Sequence, residues 1–159
     1  MKIFLGGTCN NSMWREKLIP LLESREINYF NPVVDDWNEE SQENEKREKE
    51  LCDVHLYVIT PKMKSIFSIA EAVDDSHNKN CRCVFFVFEK YEGETFEKQH
   101  IMSLTATCEL IRKNGGIAYM SSNFTNVWND SDMINQLFKT LLYLDETSYN
   151  SWRSDHELS

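Results

Sequence analysis

Met1-Lys2-Ile3-Phe4-Leu5-Gly6-Gly7-Thr8-Cys9-Asn10-Asn11-Ser12, running on into Met13-Trp14-Arg15-Glu16-Lys17-Leu18, is the stretch that decides the fold. Ile3 to Leu5 is a short apolar run that reads as a strand, and Gly6-Gly7 stops it. Asn10-Asn11-Ser12 is a cluster of good helix N-caps. From Met13 to Glu23, Trp14, Leu18, Leu21 and Leu22 recur at helical spacing. A strand, a glycine turn and an amphipathic helix in immediate succession open a βα unit.

The alternation continues outward. Ile27 to Phe30 reads as a second strand, ended by Asn31-Pro32, and Ser41 to Leu51 is a densely charged segment that suits an exposed helix. Val54 to Ile59 is a third strand, Ser65 to Asn78 a helix with Ile66, Ile69, Ala70 and Val73 facing the core, and Cys83 to Phe88 a fourth strand. Phe96 to Lys113 is helical and Asn114-Gly115-Gly116 stops it. Ile117 to Met120 is the fifth strand, and Asp130 to Leu144 a last helix with Met133, Ile134, Leu137, Phe138, Leu141 and Leu142 apolar. Alternating strands and helices imply a parallel sheet covered on both faces. The expected fold is α/β, a flavodoxin-like three-layer sandwich with a five-stranded, mainly parallel sheet in the order 2-1-3-4-5. Residues 1–145 are read as one domain and 146–159 as a polar C-terminal tail in which Tyr149 and Trp152 could dock.

The length of 159 residues fits one domain, and 41% hydrophobic with 12% aromatic residues can build a true core. Seventeen basic against 26 acidic residues give a net charge of −9, which disfavours a nucleic-acid or anionic-membrane surface but not one phosphate in a pocket. No apolar run is long enough to span a membrane, and the apolar part of the N-terminus is too short for a signal peptide. Cys9, Cys52, Cys81, Cys83 and Cys108 are odd in number and scattered; they read as free thiols of a cytoplasmic protein. His55, His77, His100 and His156 lack metal-ligand spacing, and there is no dinucleotide fingerprint, P-loop, nucleophile elbow or HExxH motif, so no metal or cofactor is expected.

In sheets of this kind ligands sit outside the carboxyl ends of the strands. That rule selects Gly6 to Asn11, Asn31 to Trp37, Thr60 to Glu71, and Glu89 to Thr95. In the first segment Gly6, Gly7 and Thr8 allow close approach to the backbone, with a helix N-terminus behind them that favours a hydroxyl or an anion. Alternatively the segment is an ordinary βα turn. In the second, Asp36 offers an acceptor and Trp37 a stacking face, or both belong to a solvated turn with the indole packed down. The third carries Glu71 among Ile69, Ala70, Ala72 and Val73, where a carboxylate is partly desolvated. Such an acid is a candidate nucleophile or base, or else a helix-surface glutamate. Ser65 and Ser68 precede it as helix caps or ligand contacts. Among the charges of the 39–50 segment, Glu45, Glu48 or Glu50 could turn inward, while Asp53 reads more as a structural anchor than a catalyst and is kept with Gly6, Gly7, Thr8, Asp36, Trp37, Ser65 and Ser68 as a candidate substrate-binding residue.

These residues form a series: Lys2-Ile3-Phe4-Leu5-Gly6-Gly7, Trp14, Phe30-Asn31-Pro32-Val33-Val34-Asp35-Asp36-Trp37, Cys52-Asp53-Val54, and Ser68-Ile69-Ala70-Glu71-Ala72. Over residues 2 to 90 the series resembles the nucleoside 2-deoxyribosyltransferase family, nearest its 2-deoxyribosyltransferase-like branch. The resemblance implies cleavage of the N-glycosidic bond of a 2′-deoxynucleoside or deoxynucleotide. A glutamate, here Glu71, would attack the anomeric carbon, and a second base or water would release the sugar. A family carboxylate that helps the leaving base take a proton matches Glu45, eight residues ahead of Asp53; a slipped frame would give Glu48. Gly6, Gly7, Asp36 and Trp37 match loops lining the sugar and base pocket. Ser65 matches a serine that binds the 5′ end of the sugar in related nucleotide hydrolases. A homo-oligomer with sites completed by a neighbour is also implied. The chain departs from the family in its approach to the glutamate, where Ile66-Phe67-Ser68-Ile69-Ala70 replaces a glycine-rich segment and predicts a narrower, more apolar pocket.

Three readings follow for the partner, which in each is a small nucleoside or nucleotide. One is an enzyme acting by transfer or hydrolysis, with Lys62 and Lys64 as holders of a 5′-phosphate if the substrate has one. A second is a non-catalytic binder or sensor using the same pocket. The third is cleavage of a different N-glycoside by the same glutamate.

Overall fold

The computed structural model describes residues 1–9, 11–35 and 38–157, with side chains described through Thr147. The elements run β1 (Lys2–Gly7), α1 (Trp14–Glu23), β2 (Asn28–Phe30), α2 (Glu39–Glu50), β3 (Val54–Ile59), α3 (Phe67–Asp75) and β4 (Arg82–Val87). A small ribbon, β5 (Lys90–Tyr91) and β6 (Glu94–Thr95), then precedes α4 (Lys98–Asn114), β7 (Ile117–Met120), a 3-10 turn and α5 (Asp130–Glu157). Five strands form one sheet in the order β2-β1-β3-β4-β7, every pairing parallel. The fold is therefore α/β with the flavodoxin-like order expected, β7 being the fifth strand of the sheet.

The side-chain period of two explains the layers. Ile3, Leu5, Leu56, Val58, Val84 and Phe86 point to one face, where they meet Trp14, Leu18 and Leu22 of α1 and Leu137 and Leu141 of α5. Phe4, Tyr57, Ile59, Phe85 and Val87 point to the other, against Ala72 of α3 and Leu104, Cys108 and Ile111 of α4. All of these side chains are buried, so the central strands are sealed on both faces, as a parallel sheet requires. Gly115, in the left-handed region with φ 103°, ends α4 as the Asn-Gly-Gly run predicted.

Four differences from the sequence expectations matter. First, α3 begins at Phe67, so Ile66 sits at its N-cap and is 73% exposed, and Ala70 is exposed too, instead of facing the core; Ala72 is the buried residue of that helix. Second, the N-cap of α1 is Met13, without a side-chain cap bond, so Asn11 and Ser12 precede the cap, and Asn10 lies outside the described residues. Third, the β5–β6 ribbon was not legible, each strand being two residues long. Fourth, α5 continues to Glu157, beyond the Leu144 end expected for the last helix.

Candidate functional site

The strand order turns around between β1 and β3: the chain leaves β1 for β2 on one side and returns to β3 on the other. A crevice forms at the carboxyl ends of two such strands because their connections diverge. A pocket of about 330 Å³ opens there. Its floor is Gly6, Gly7 and Thr8 after β1, and one wall is Met63, Lys64, Ser65, Phe67 and Ser68 between β3 and α3. Pro32, Val33 and Val34 after β2 close a second side, and two carboxylates face in, Glu45 from α2 and Glu71 from α3. Apolar side chains thus frame two acids, and of the Ile66-to-Ala70 segment Phe67 and Ser68 line the pocket.

Of the four loop segments singled out by the strand-end rule, the first three contribute to this pocket and the fourth does not. Gly6, Gly7, Thr8, Glu45, Ser65, Ser68 and Glu71 come together. Asp53, kept among the candidate substrate-binding residues, does not line the pocket. It lies just before β3, at the amino end of the sheet, where its carboxylate accepts the Lys2 backbone N–H at 2.7 Å and its own N–H donates to the Lys2 carbonyl at 2.9 Å. That is the anchoring role its residue type suggested. Asp36 and Trp37 lie outside the described residues.

The glycines are demanded by the sheet before any ligand is considered. Gly7 has φ 109°, and a Cβ there would stand 2.1 Å from the Val58 carbonyl oxygen. A Cβ on Gly6 would meet the Tyr57 and Phe4 rings at 2.8 and 2.9 Å. The backbone of β1 therefore packs hard on β3 and leaves the pocket floor bare of side chains at Gly6 and Gly7.

Two carbonyls of the floor, and that of Leu5 just before it, are tied by one side chain. Arg15, 3% exposed, donates from Nε to Leu5 O at 2.9 Å, from Nη1 to Thr8 O at 2.8 Å and from Nη2 to Gly7 O at 3.4 Å, and lies 4.3 Å over the Trp14 ring. The floor loop is held further by Thr8, whose Oγ1 accepts the Thr60 N–H at 2.9 Å.

The helix N-terminus behind the glycines is filled by the protein itself. Glu92, from the tip of the β5–β6 ribbon, accepts the Met13 N–H at 2.6 Å and the Ser12 hydroxyl at 2.9 Å. The end of α1 that was read as an anion site thus receives the chain's own carboxylate. Lys62 follows the same carboxylate, 3.7 Å from Glu92, and does not line the pocket. Lys64 does.

Beneath the two acids lies an ionic network that sequence reasoning missed. Lys49, one turn after Glu45 on α2, places Nζ 3.1 Å from Glu71 Oε1 and 3.1 Å from Asp75 Oδ2. Asp75, one turn after Glu71 on α3, accepts from Tyr57 Oη at 2.5 Å and lies 2.8 Å from His55 Nδ1. His55 Nε2 in turn meets the Lys49 carbonyl at 2.8 Å. The Lys49 ammonium also stands 5.3 Å over Phe4 and 5.5 Å over Tyr57. Burial opposes the charge on Asp75, but the hydrogen bonds from His55 and Tyr57 and the Lys49 charge outweigh it and hold the carboxyl down to about 2. Burial likewise opposes the Lys49 charge, and Asp75 and Glu71 together raise its pKa above the ordinary value. Tyr57 is pushed far up, by burial first and then by its bond to Asp75. The signal was present as two i, i+4 pairs, Glu45 with Lys49 and Glu71 with Asp75. What the sequence lacked was the knowledge that these two helical faces meet.

The five cysteines are free thiols; Cys9 lines the pocket and the other four do not. Among the described residues no helix is long and apolar enough to cross a membrane. No curated protein matches the chain. A family model described as nucleoside 2-deoxyribosyltransferase like matches residues 1–91, which carry β1 through β5 and every described residue of the pocket. The match spans more than half of the 159 residues, and the chain belongs to the nucleoside 2-deoxyribosyltransferase-like family.

Proposed function

We propose that this pocket cleaves the N-glycosidic bond of a 2′-deoxynucleoside or deoxynucleotide. The observation that carries this reading is that Glu71 and Glu45, from different helices, line one apolar pocket at the strand-order reversal. In the first half-reaction a Glu71 carboxylate oxygen attacks C1′. The new C1′–O bond forms as the C1′–N bond breaks, and the bonding pair stays on the base, which takes a proton from Glu45. The product is a glutamyl-deoxyribosyl ester. In the second half-reaction another base, or water, gives its proton to Glu45 and attacks C1′, and Glu71 leaves as the carboxylate.

The rest of the pocket suits the ligand's other parts. Val33, Val34, Met63 and Phe67 offer apolar surface to a planar base. Ser65 and Ser68, with the bare floor of Gly6 and Gly7 and the backbone of Thr8, suit sugar hydroxyls, and Lys64, which lines the pocket, suits a 5′-phosphate. A second reading is favoured by one observation, the ion pair between Glu71 and Lys49. A purely structural glutamate would make it too, and the protein would then bind a nucleotide-like ligand without cleaving it. Glu71→Gln separates the two: an enzyme loses turnover and keeps its fold, whereas a binder keeps ligand affinity within a few-fold.

A further inference from the structure

We propose that Lys49 is a positioning residue for Glu71, holding one carboxylate oxygen so that the other is presented to the anomeric carbon. This rests on the reading of Glu71 as nucleophile. The two helices present their side chains as facing pairs: Glu45 and Lys49 on α2, Glu71 and Asp75 on α3. Lys49 is fixed from several sides. Its ammonium meets Glu71 Oε1 and Asp75 Oδ2 at 3.1 Å each, rests over the faces of Phe4 and Tyr57, and its side chain is only 17% exposed. Asp75 is fixed in turn by His55 and Tyr57. Among the described residues the second oxygen of Glu71, Oε2, has no hydrogen-bond partner, and Glu71 lines the pocket. A carboxylate tethered by one oxygen has a defined rotamer, and the untethered oxygen is the one left to react.

Charge arithmetic gives Asp75 a purpose as well. Before attack, Lys49 with Glu71 and Asp75 sums to one net negative charge, which favours the positive charge that builds on the sugar carbon. After attack Glu71 is a neutral ester. Asp75 then still balances Lys49, so no buried cation is left unpaired. Lys49 keeps its proton throughout: it donates hydrogen bonds and transfers nothing.

The test uses the full chain with Lys49→Met and Lys49→Arg. On the deoxynucleoside that wild type turns over best, Lys49→Met is expected to lower kcat about tenfold or more and to leave KM within about threefold, and Lys49→Arg to recover most of kcat. A Lys49→Met, Asp75→Asn double variant removes the pair together and guards against loss of fold through one unpaired buried charge. Unchanged kcat in a folded Lys49→Met protein overturns the proposal, as does a rise in KM alone. A second readout needs no activity. The 15N resonance of the Lys49 ammonium is expected to move on Glu71→Ala and to stay put on Glu48→Ala, a carboxylate of the same helix that pairs with Lys2 at 2.6 Å. If wild type turns over none of a deoxynucleoside panel, the functional reading falls, and that resonance alone decides the Lys49–Glu71 contact.

Discussion

Acid should loosen this protein at Asp75 in a way that one substitution isolates. The Asp75 side chain is 12% exposed, pairs with Lys49 at 3.1 Å and accepts from Tyr57 and His55. In the folded chain its carboxyl titrates at about 2 against an ordinary 3.8. A carboxyl whose pKa falls on folding stabilises the fold fully above its unfolded value, and loses that contribution as pH drops through the folded value. At 1.36 kcal/mol per pH unit, the difference is worth about 2 kcal/mol. For a chain of this length, that is about 4–8 °C in Tm. Asparagine keeps the shape and cannot ionise. Thermal unfolding of wild type and Asp75→Asn should therefore show a gap at pH 6 that narrows by about 4–8 °C as pH falls from about 4 towards 2. Carboxylates that share no partner with Asp75 contribute equally in both proteins and cancel in the difference. A gap that is the same at pH 6 and pH 2.5, or none at pH 6, would refute the reasoning.

Two further substitutions test the scaffold. Gly7→Ala forces a Cβ to within 2.1 Å of the Val58 carbonyl at φ 109°, so stability should fall by about 2 kcal/mol or more, read as a lower Tm. An unchanged Tm would contradict the packing of β1 on β3. Glu92→Ala removes the acceptor for Met13 N and Ser12 Oγ, and should cost about 1 kcal/mol, with faster amide exchange at Met13 than at Leu18. Equal protection in variant and wild type would show that the ribbon does not cap α1.

Much of the fold was legible because its strands are continuous apolar runs. Val54 to Ile59 is buried at every position, as a central parallel strand must be, and its six-residue length with β-branched and aromatic residues favours a strand over a buried helical segment. The first βα unit was legible for the same reason, with Trp14, Leu18 and Leu22 landing fully buried. What failed was local chemistry whose partner is far along the chain. The Asn10-Asn11-Ser12 cluster looked like a cap, but the carboxylate that caps α1 comes from Glu92, 79 residues after Met13. Ile66 looked like core because its neighbours at helical spacing are apolar. The helix starts one residue later and leaves it in solvent.

The candidate site divides in the same way. Strand-end logic chose three loops that do meet, and the resemblance chose Glu45 and Glu71, which line the same pocket. Lys49, Asp75, Tyr57 and His55 were not singled out, because their meaning arises only when α2 and α3 meet over β1 and β3. Arg15 was missed for another reason. On an amphipathic helix an arginine beside a buried tryptophan reads as a surface charge, yet here backbone carbonyls surround it.

The central claim is that Glu71 forms a bond to the sugar. Liquid chromatography of wild type and Glu71→Gln, incubated with deoxynucleosides and their 5′-monophosphates, with and without a free acceptor base, tests it most directly. The account predicts free base or a new nucleoside from wild type, with turnover lowered about a thousandfold or more in a Glu71→Gln protein of comparable Tm. Equal product from both proteins, or none from wild type on any substrate, would contradict it.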